Sequence, residues 1–257
     1  MARERYLLNA GEDTIHDNEI KLVTAKDKRK NWWYYHKRHL LVGIIAAAMV
    51  GSLIYSLVSQ VEPDYTIGLL TSYSMPDVGK QQLESCIAQY ADDRNGDGQV
   101  KVVISNYVFS DSDTIDYQIQ QASVVRFMGE ASTNEAMIYL HDEVAFNSLE
   151  DSFDGFFQYN DGTAMPEDAK DYENAMVSWN DLKGFAEFVP QTTEEDSYDA
   201  EVLTELFGRL RISVRAAEGS SIEKKEKDME YHSASLALLE RIRNDEKLNG
   251  ETAVEEG

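Results

Sequence analysis

Leu40–Val61 reads LLVGIIAAAMVGSLIYSLVSQV, and from Leu40 to Val58 it carries no charged side chain. At 1.5 Å of rise per residue, about 20 such residues cover roughly the 30 Å of a bilayer's hydrocarbon core. A helix buried in a globular protein keeps a polar stripe, and this stretch has none. The sequence therefore predicts a transmembrane helix over residues 40–61. On its amino side, residues 31–39 (NWWYYHKRH) join four aromatic rings to Lys37 and Arg38. That is the composition of an interfacial segment, with rings among the headgroups and cations reaching outward. Residues 1–30 are polar and mixed in charge with no sustained periodicity, which predicts a flexible tail.

Charge is unevenly placed along the chain. Residues 1–39 hold nine Lys or Arg against six Asp or Glu, whereas residues 62–257 hold 15 against 41. Basic flanks stay in the cytoplasm. Lys26, Lys28, Arg29, Lys30, Lys37 and Arg38 precede the apolar run, and Glu62 and Asp64 follow it. The expected topology is a single-pass protein of the cell membrane, with a cytoplasmic N-terminal tail and an extracytoplasmic domain over residues 62–243. An uncleaved signal-anchor fits better than a cleaved signal peptide, whose apolar core is only about 7–15 residues long and is followed by an A-x-A site. The lipid bilayer is thus the first expected partner. The acidic field of the large domain repels phosphate backbones, which excludes nucleic acid as another. One cysteine, Cys86, leaves no internal disulfide to form.

Beyond the membrane, Tyr65 to Thr71 (YTIGLLT) reads as a buried strand. Leu83, Cys86, Ile87 and Tyr90 stand at i, i+3, i+4 and i+7, the stripe of an amphipathic helix that puts Cys86 in the core. Gln99–Phe109 (QVKVVISNYVF) reads as a second strand. A helix is expected from near Asp113 to Gly129 with Ile115, Ile119, Ala122, Val125 and Met128 facing the core, followed by a third strand at Ala136–Leu140. Alternating elements of these lengths predict an α/β domain with a mostly parallel sheet flanked by helices. Residues 142–201 give weaker signals, apart from an aromatic loop or edge segment at FDGFFQYNDG and a short helix within Trp179–Val189. Gly208–Ala216 (GRLRISVRA) alternates like a half-buried strand, its arginines suited to local ion pairs more than to a free anion. Ile222–Ile242 reads as a long helix with Met229, His232, Leu236 and Leu239 in phase, and residues 244–257 as a disordered acidic tail.

Two constellations carry chemistry. Asp93, Asn95, Asp97 and Gly98 occupy positions 1, 3, 5 and 6 of a D-x-[DN]-x-[DN]-G calcium loop, but position 12 is Ile104 and not an acid. A helix-to-strand turn is the leading reading of this stretch and Ca2+ the alternative. The second constellation follows from topology, since open α/β sheets bind ligands beyond the carboxyl ends of their parallel strands. Ser72 and Tyr73 after the first strand, Asn106 and Tyr107 near the second, and His141 and Asp142 after the third are the candidate ligand-binding residues. His141 beside Asp142 is expected to respond to pH. No G-x-S-x-G, H-E-x-x-H, C-x-x-C or glycine-rich phosphate loop occurs, so the reading is not an enzyme.

The WWYYHK segment before one apolar helix, then DYTIGLLTSYSMP, ADDRNGDGQVKVVISNY and AMIYLHDE, resembles a group of single-pass membrane proteins of anaerobic Gram-positive, Clostridia-like bacteria. Their outer domain is similar to a degenerate extracellular solute-binding protein of an ABC transporter. The likeness covers residues 30–142 and implies one lobe of such a protein. It departs from that family in lacking a lipobox cysteine and in having too few residues for two full lobes. The resulting expectation is a membrane-tethered domain that binds a small polar solute or a partner at the cell surface. The alternative is a structural or interaction protein of the envelope without a ligand pocket.

Overall fold

The computed structural model describes residues 24–58, 62–110, 117–192 and 199–249, with backbone alone for 54–58. The chain divides into two compact units, residues 1–61 and 62–257.

Among the described residues of the first unit one helix, α1, runs from Ala25 to Val58. Residues 25–30, expected in the tail, are helical because nothing in KDKRK breaks a helix that the following segment continues. Residues 1–23 of that tail lie outside the described residues. The belt segment is on the same helix, where Trp32 stacks on His36 at 5.0 Å and Lys37 lies over the Tyr34 ring. Among the described residues no helix is long and apolar enough to cross a membrane. The side chains of the apolar run are described only from Leu40 to Leu53, and residues 59–61 of the expected span lie outside.

The second unit is an α/β domain built on a mixed five-stranded sheet of order β2-β1-β3-β5-β4. Its strands are β1 (Tyr65–Thr71), β2 (Val102–Val108), β3 (Ala136–His141), β4 (Val177–Ser178) and β5 (Arg211–Val214). The helices are α2 (Asp77–Ala88), α3 (Tyr117–Ser132), α4 (Glu143–Leu149), α5 (Lys183–Ala186), α6 (Ala200–Gly208) and α7 (Glu226–Asn244). β1, β2 and β3 are parallel, as the alternation of elements predicts, with Leu69 opposite both Asn106 and Leu140. β5 instead runs antiparallel to β3 and to β4. The reason is the short link Arg209–Leu210, which leads from α6 straight into β5 beside the carboxyl end of β3, with no crossover to reverse the chain.

The pleat sends alternate side chains to opposite faces. Tyr65, Ile67 and Leu69 of β1 join Leu83, Cys86 and Ile87 of α2 and Leu238 and Ile242 of α7 in one core. Leu70, Tyr107 and Tyr139 join Phe127, Phe146, Phe153 and Phe157 in an aromatic core on the other face. Of the loop and the edge segment expected for FDGFFQYNDG, the structure has the edge segment: Phe157 bridges to Arg215 and Gln158 to Ala164, and Phe153 and Phe157 are fully buried. Gly68 of β1 is required by close approach, since a Cβ there would lie 2.4 Å from the Tyr139 ring.

Several expected phases shift. In α3 the buried positions are Ser123 and Phe127, while Ile119, Val125 and Met128 are exposed; Asp113 and Ile115 lie outside the described residues. Ser123 faces inward because its hydroxyl accepts the Val108 amide, capping the edge of β2, and Glu84 does the same for the Ile104 amide. In α7 the core face holds His232, Ser235, Leu238, Leu239 and Ile242, while Met229 and Leu236, expected in phase with it, are exposed. In β5 Ile212, Ser213 and Val214 are buried, as is Arg215 just beyond it, while Arg211 at its start is exposed; β4 and Phe157 pair along its outer edge. Trp179–Val189 holds a 3-10 turn and the single-turn α5. The described domain extends to Asn249: Asp245 caps α7 in the left-handed conformation, and the Leu248 and Asn249 amides donate to the Gln89 carbonyl. Residues 250–257 of the expected tail lie outside the described residues.

Candidate ligand site

The chain leaves β1 for β2 on one side and returns to β3 on the other, so the winding reverses between β1 and β3. Their carboxyl ends are tied together by Asp142. One of its oxygens accepts the Ser72 amide and hydroxyl at 2.7 and 2.8 Å, and the other accepts the Ala145 amide at 2.7 Å, capping α4. Asn106 holds the following loop. Its Oδ1 accepts the Met75 amide, and its Nδ2 donates to the Leu69 carbonyl and to Thr71 Oγ1. Asp142 and Asn106 are thus committed to positioning the strand ends.

Tyr107 is not part of this crevice. Consecutive strand residues point to opposite faces, and Tyr107 lies in the aromatic core, where its hydroxyl donates to Glu130. The other candidates divide between two cavities. Ser72, Tyr73 and Asp142 line one of about 490 Å3, and His141 lines one of about 210 Å3. Glu143 and Arg211 line both. The strand register explains the place of Arg211: it stands directly opposite His141 across the β3–β5 pair, as the first residue of β5 beside the last of β3.

His141 is fully buried. Its Nε2 is 3.0 Å from Ser213 Oγ, its ring rests on Phe146, and its Nδ1 has no hydrogen-bond partner. Burial, reinforced by Arg211, pushes its pKa down to about 3, against a weaker opposing effect of the Asp142 backbone. The imidazole is therefore neutral at physiological pH, and the expected pH response of His141 at neutrality is overturned. Tyr73 is the second polar group left over. Its buried hydroxyl has no partner, and burial together with nearby Asp142 raises its pKa.

Among the described residues, one of the three arginines of GRLRISVRA forms the expected local ion pair and two do not. Arg209 makes an ion pair with Glu205. Arg215 is buried, donates to the Ala131 carbonyl and lies over the Phe156 ring at 4.7 Å. Among the described residues Arg211 makes neither a hydrogen bond nor an ion pair, which leaves an exposed guanidinium at the mouth of both cavities. Arg211 was absent from the sequence's candidates because only the register brings it beside His141, whereas Glu143 follows His141 by two residues as the first residue of α4 and was within reach of sequence reasoning.

At the opposite end of the sheet, the DRNGDG stretch forms a turn held by its own acids. Asp93 accepts the Gly96 and Gly98 amides at 2.7 and 2.8 Å, Asn95 accepts that of Asp97, and Asp97 accepts that of Gln99. Gly96 and Gly98 take positive φ. Buried Asp64 completes the turn by accepting the Arg94, Asn95 and Lys101 amides. Among the described residues no group of three or more His, Cys, Asp or Glu is placed to hold a metal ion. No family model, curated protein or solved structure matches this chain.

Proposed function

We propose that the chain is a membrane-tethered, non-enzymatic binding protein whose extracytoplasmic α/β domain takes a small polar solute between the carboxyl ends of β1 and β3. One observation carries the binding reading. Folded proteins leave few buried polar groups unpaired, and of the three unpaired side-chain atoms among the described residues, two belong to Tyr73 and His141, residues that line the two cavities at this end of the sheet. A polar ligand would supply what they lack. The non-enzymatic reading draws on the same geometry: the hydroxyl hydrogen-bonded to the imidazole among the described residues, that of Ser213, is 1% exposed and lines neither cavity. The tether is supported by the uncharged run from Leu40 to Val58 and its basic flank. The resemblance to one lobe of a solute-binding protein points the same way.

The rival reading, an envelope interaction protein without a ligand, draws on the outward face of α3, where Tyr117, Val125 and Met128 are exposed. A thermal-shift screen of the detergent-solubilised full chain against sugars, amino acids and short peptides separates the two. A stabilising solute whose effect disappears in Arg211→Gln supports the crevice, and a silent screen favours the rival. Protease added to intact cells should remove the acidic domain and spare an N-terminal tag; protection of the domain would overturn the topology.

A further inference from the structure

The His141 cavity holds both signs of charge. Arg211 contributes an unpartnered cation, Lys170 a second one already paired with Asp154, Glu150 and Glu173 contribute carboxylates with no ion pair among the described residues, and Phe146, Tyr172 and Met176 form an apolar wall. At about 210 Å3 it lies below the roughly 300–1,000 Å3 of pockets for drug-sized ligands. A purely anionic solute would meet the acidic rim and the strongly negative domain behind it, and a purely cationic one would meet Arg211. A neutral solute would cover the guanidinium without pairing it, which costs free energy.

Building on the crevice reading, we propose that the ligand is a zwitterion of amino-acid size, with its carboxylate on Arg211, its ammonium between Glu150 and Glu173, and its side chain on the apolar wall. A neutral imidazole offers one donor and one acceptor nitrogen, so His141 Nδ1 matches one or other end of the zwitterion according to its tautomer. The zwitterion carries no net charge and so escapes repulsion by the acidic domain on approach.

The test is calorimetric titration of the full-length chain in detergent with each common L-amino acid. It is then repeated with the best binder's N-acetyl derivative, which lacks the ammonium, and its decarboxylated amine, which lacks the carboxylate. Each truncated analogue should bind at least about tenfold more weakly, as expected for the loss of a charge-assisted contact. In Arg211→Gln the parent amino acid should weaken to the level of the amine, and in Glu173→Gln to nearer that of the N-acetyl derivative. Both side chains are exposed, so unchanged circular dichroism is expected of both variants. An N-acetyl derivative or amine binding as tightly as its parent overturns the zwitterion. So does glucose binding that Arg211→Gln weakens while every amino acid stays silent, although that outcome preserves the crevice. Silence with amino acids, sugars and short peptides overturns both.

Discussion

The two ends of the sheet treat their polar groups in opposite ways. At the amino end, Asp64, Asp93, Asn95 and Asp97 spend their oxygens on seven backbone amides, and a stretch that reads as a calcium loop is a self-satisfied turn. At the carboxyl end, Asp142 and Asn106 are spent in the same way, but Tyr73 Oη, His141 Nδ1 and the Arg211 guanidinium are left over around two cavities. Rich acidic composition marks a turn, and the leftover groups mark a site. Which residues hold the fold and which are free to bind is decided by what each polar atom already touches.

The contrast breaks most visibly at Asp64. Its side chain is buried and accepts three amides, so Asp64→Ala should cost on the order of 3 kcal/mol in a denaturant titration, from unmade hydrogen bonds at about 1 kcal/mol each. A loss below about 1 kcal/mol would show that water replaces the carboxylate and that the amino end is not held as described.

A second effect belongs to His141. The unfolded imidazole takes up a proton near its ordinary pKa, while the folded one stays neutral down to about 3. Between those values the unfolded state binds more protons, so the domain loses stability as pH falls through that window and is insensitive above it. The loss from this group should reach on the order of 2 kcal/mol by pH 5. His141→Gln should shrink the pH 7 to pH 5 difference by about that amount, leaving the share of His232, whose pKa burial also lowers, and an unchanged difference would place the proton uptake elsewhere.

The smallest effect is the most informative about the carboxyl end. Tyr73→Phe removes a hydroxyl that has no partner, so its stability should stay within about 0.5 kcal/mol of wild type or rise slightly. A clear loss would mean that the hydroxyl is satisfied in the folded protein and is not waiting for a ligand. The thiol of Cys86 gives a control for intact folding: burial pushes its pKa up to about 12, so it should resist Ellman's reagent in every variant that folds.

Much of this fold is legible in local pattern. YTIGLLT has the bounds of β1, and the Leu83, Cys86, Ile87, Tyr90 stripe lies on its core face as the helical period requires. The pattern fails where polar residues face inward for a reason outside their own segment, as Ser123 does to cap β2. It fails too where Phe153 and Phe157 are buried by Phe127 and Phe146, partners distant in sequence. Strand alternation alone would have separated Asn106 from Tyr107, since neighbours on a strand cannot both reach one crevice. Arg211 needed the antiparallel register with β3, and nothing in GRLRISVRA announces which way that strand runs.

Contact of a ligand with His141 Nδ1 is read from the side-chain 15N resonance of His141 in the full-length chain, followed while titrating in the solute that stabilises it most. The Nδ1 signal should move progressively to saturation, with Nε2, engaged by Ser213, moving less and the ring remaining neutral from pH 5 to pH 8. An Nδ1 signal that stays fixed while a solute binds would contradict that contact.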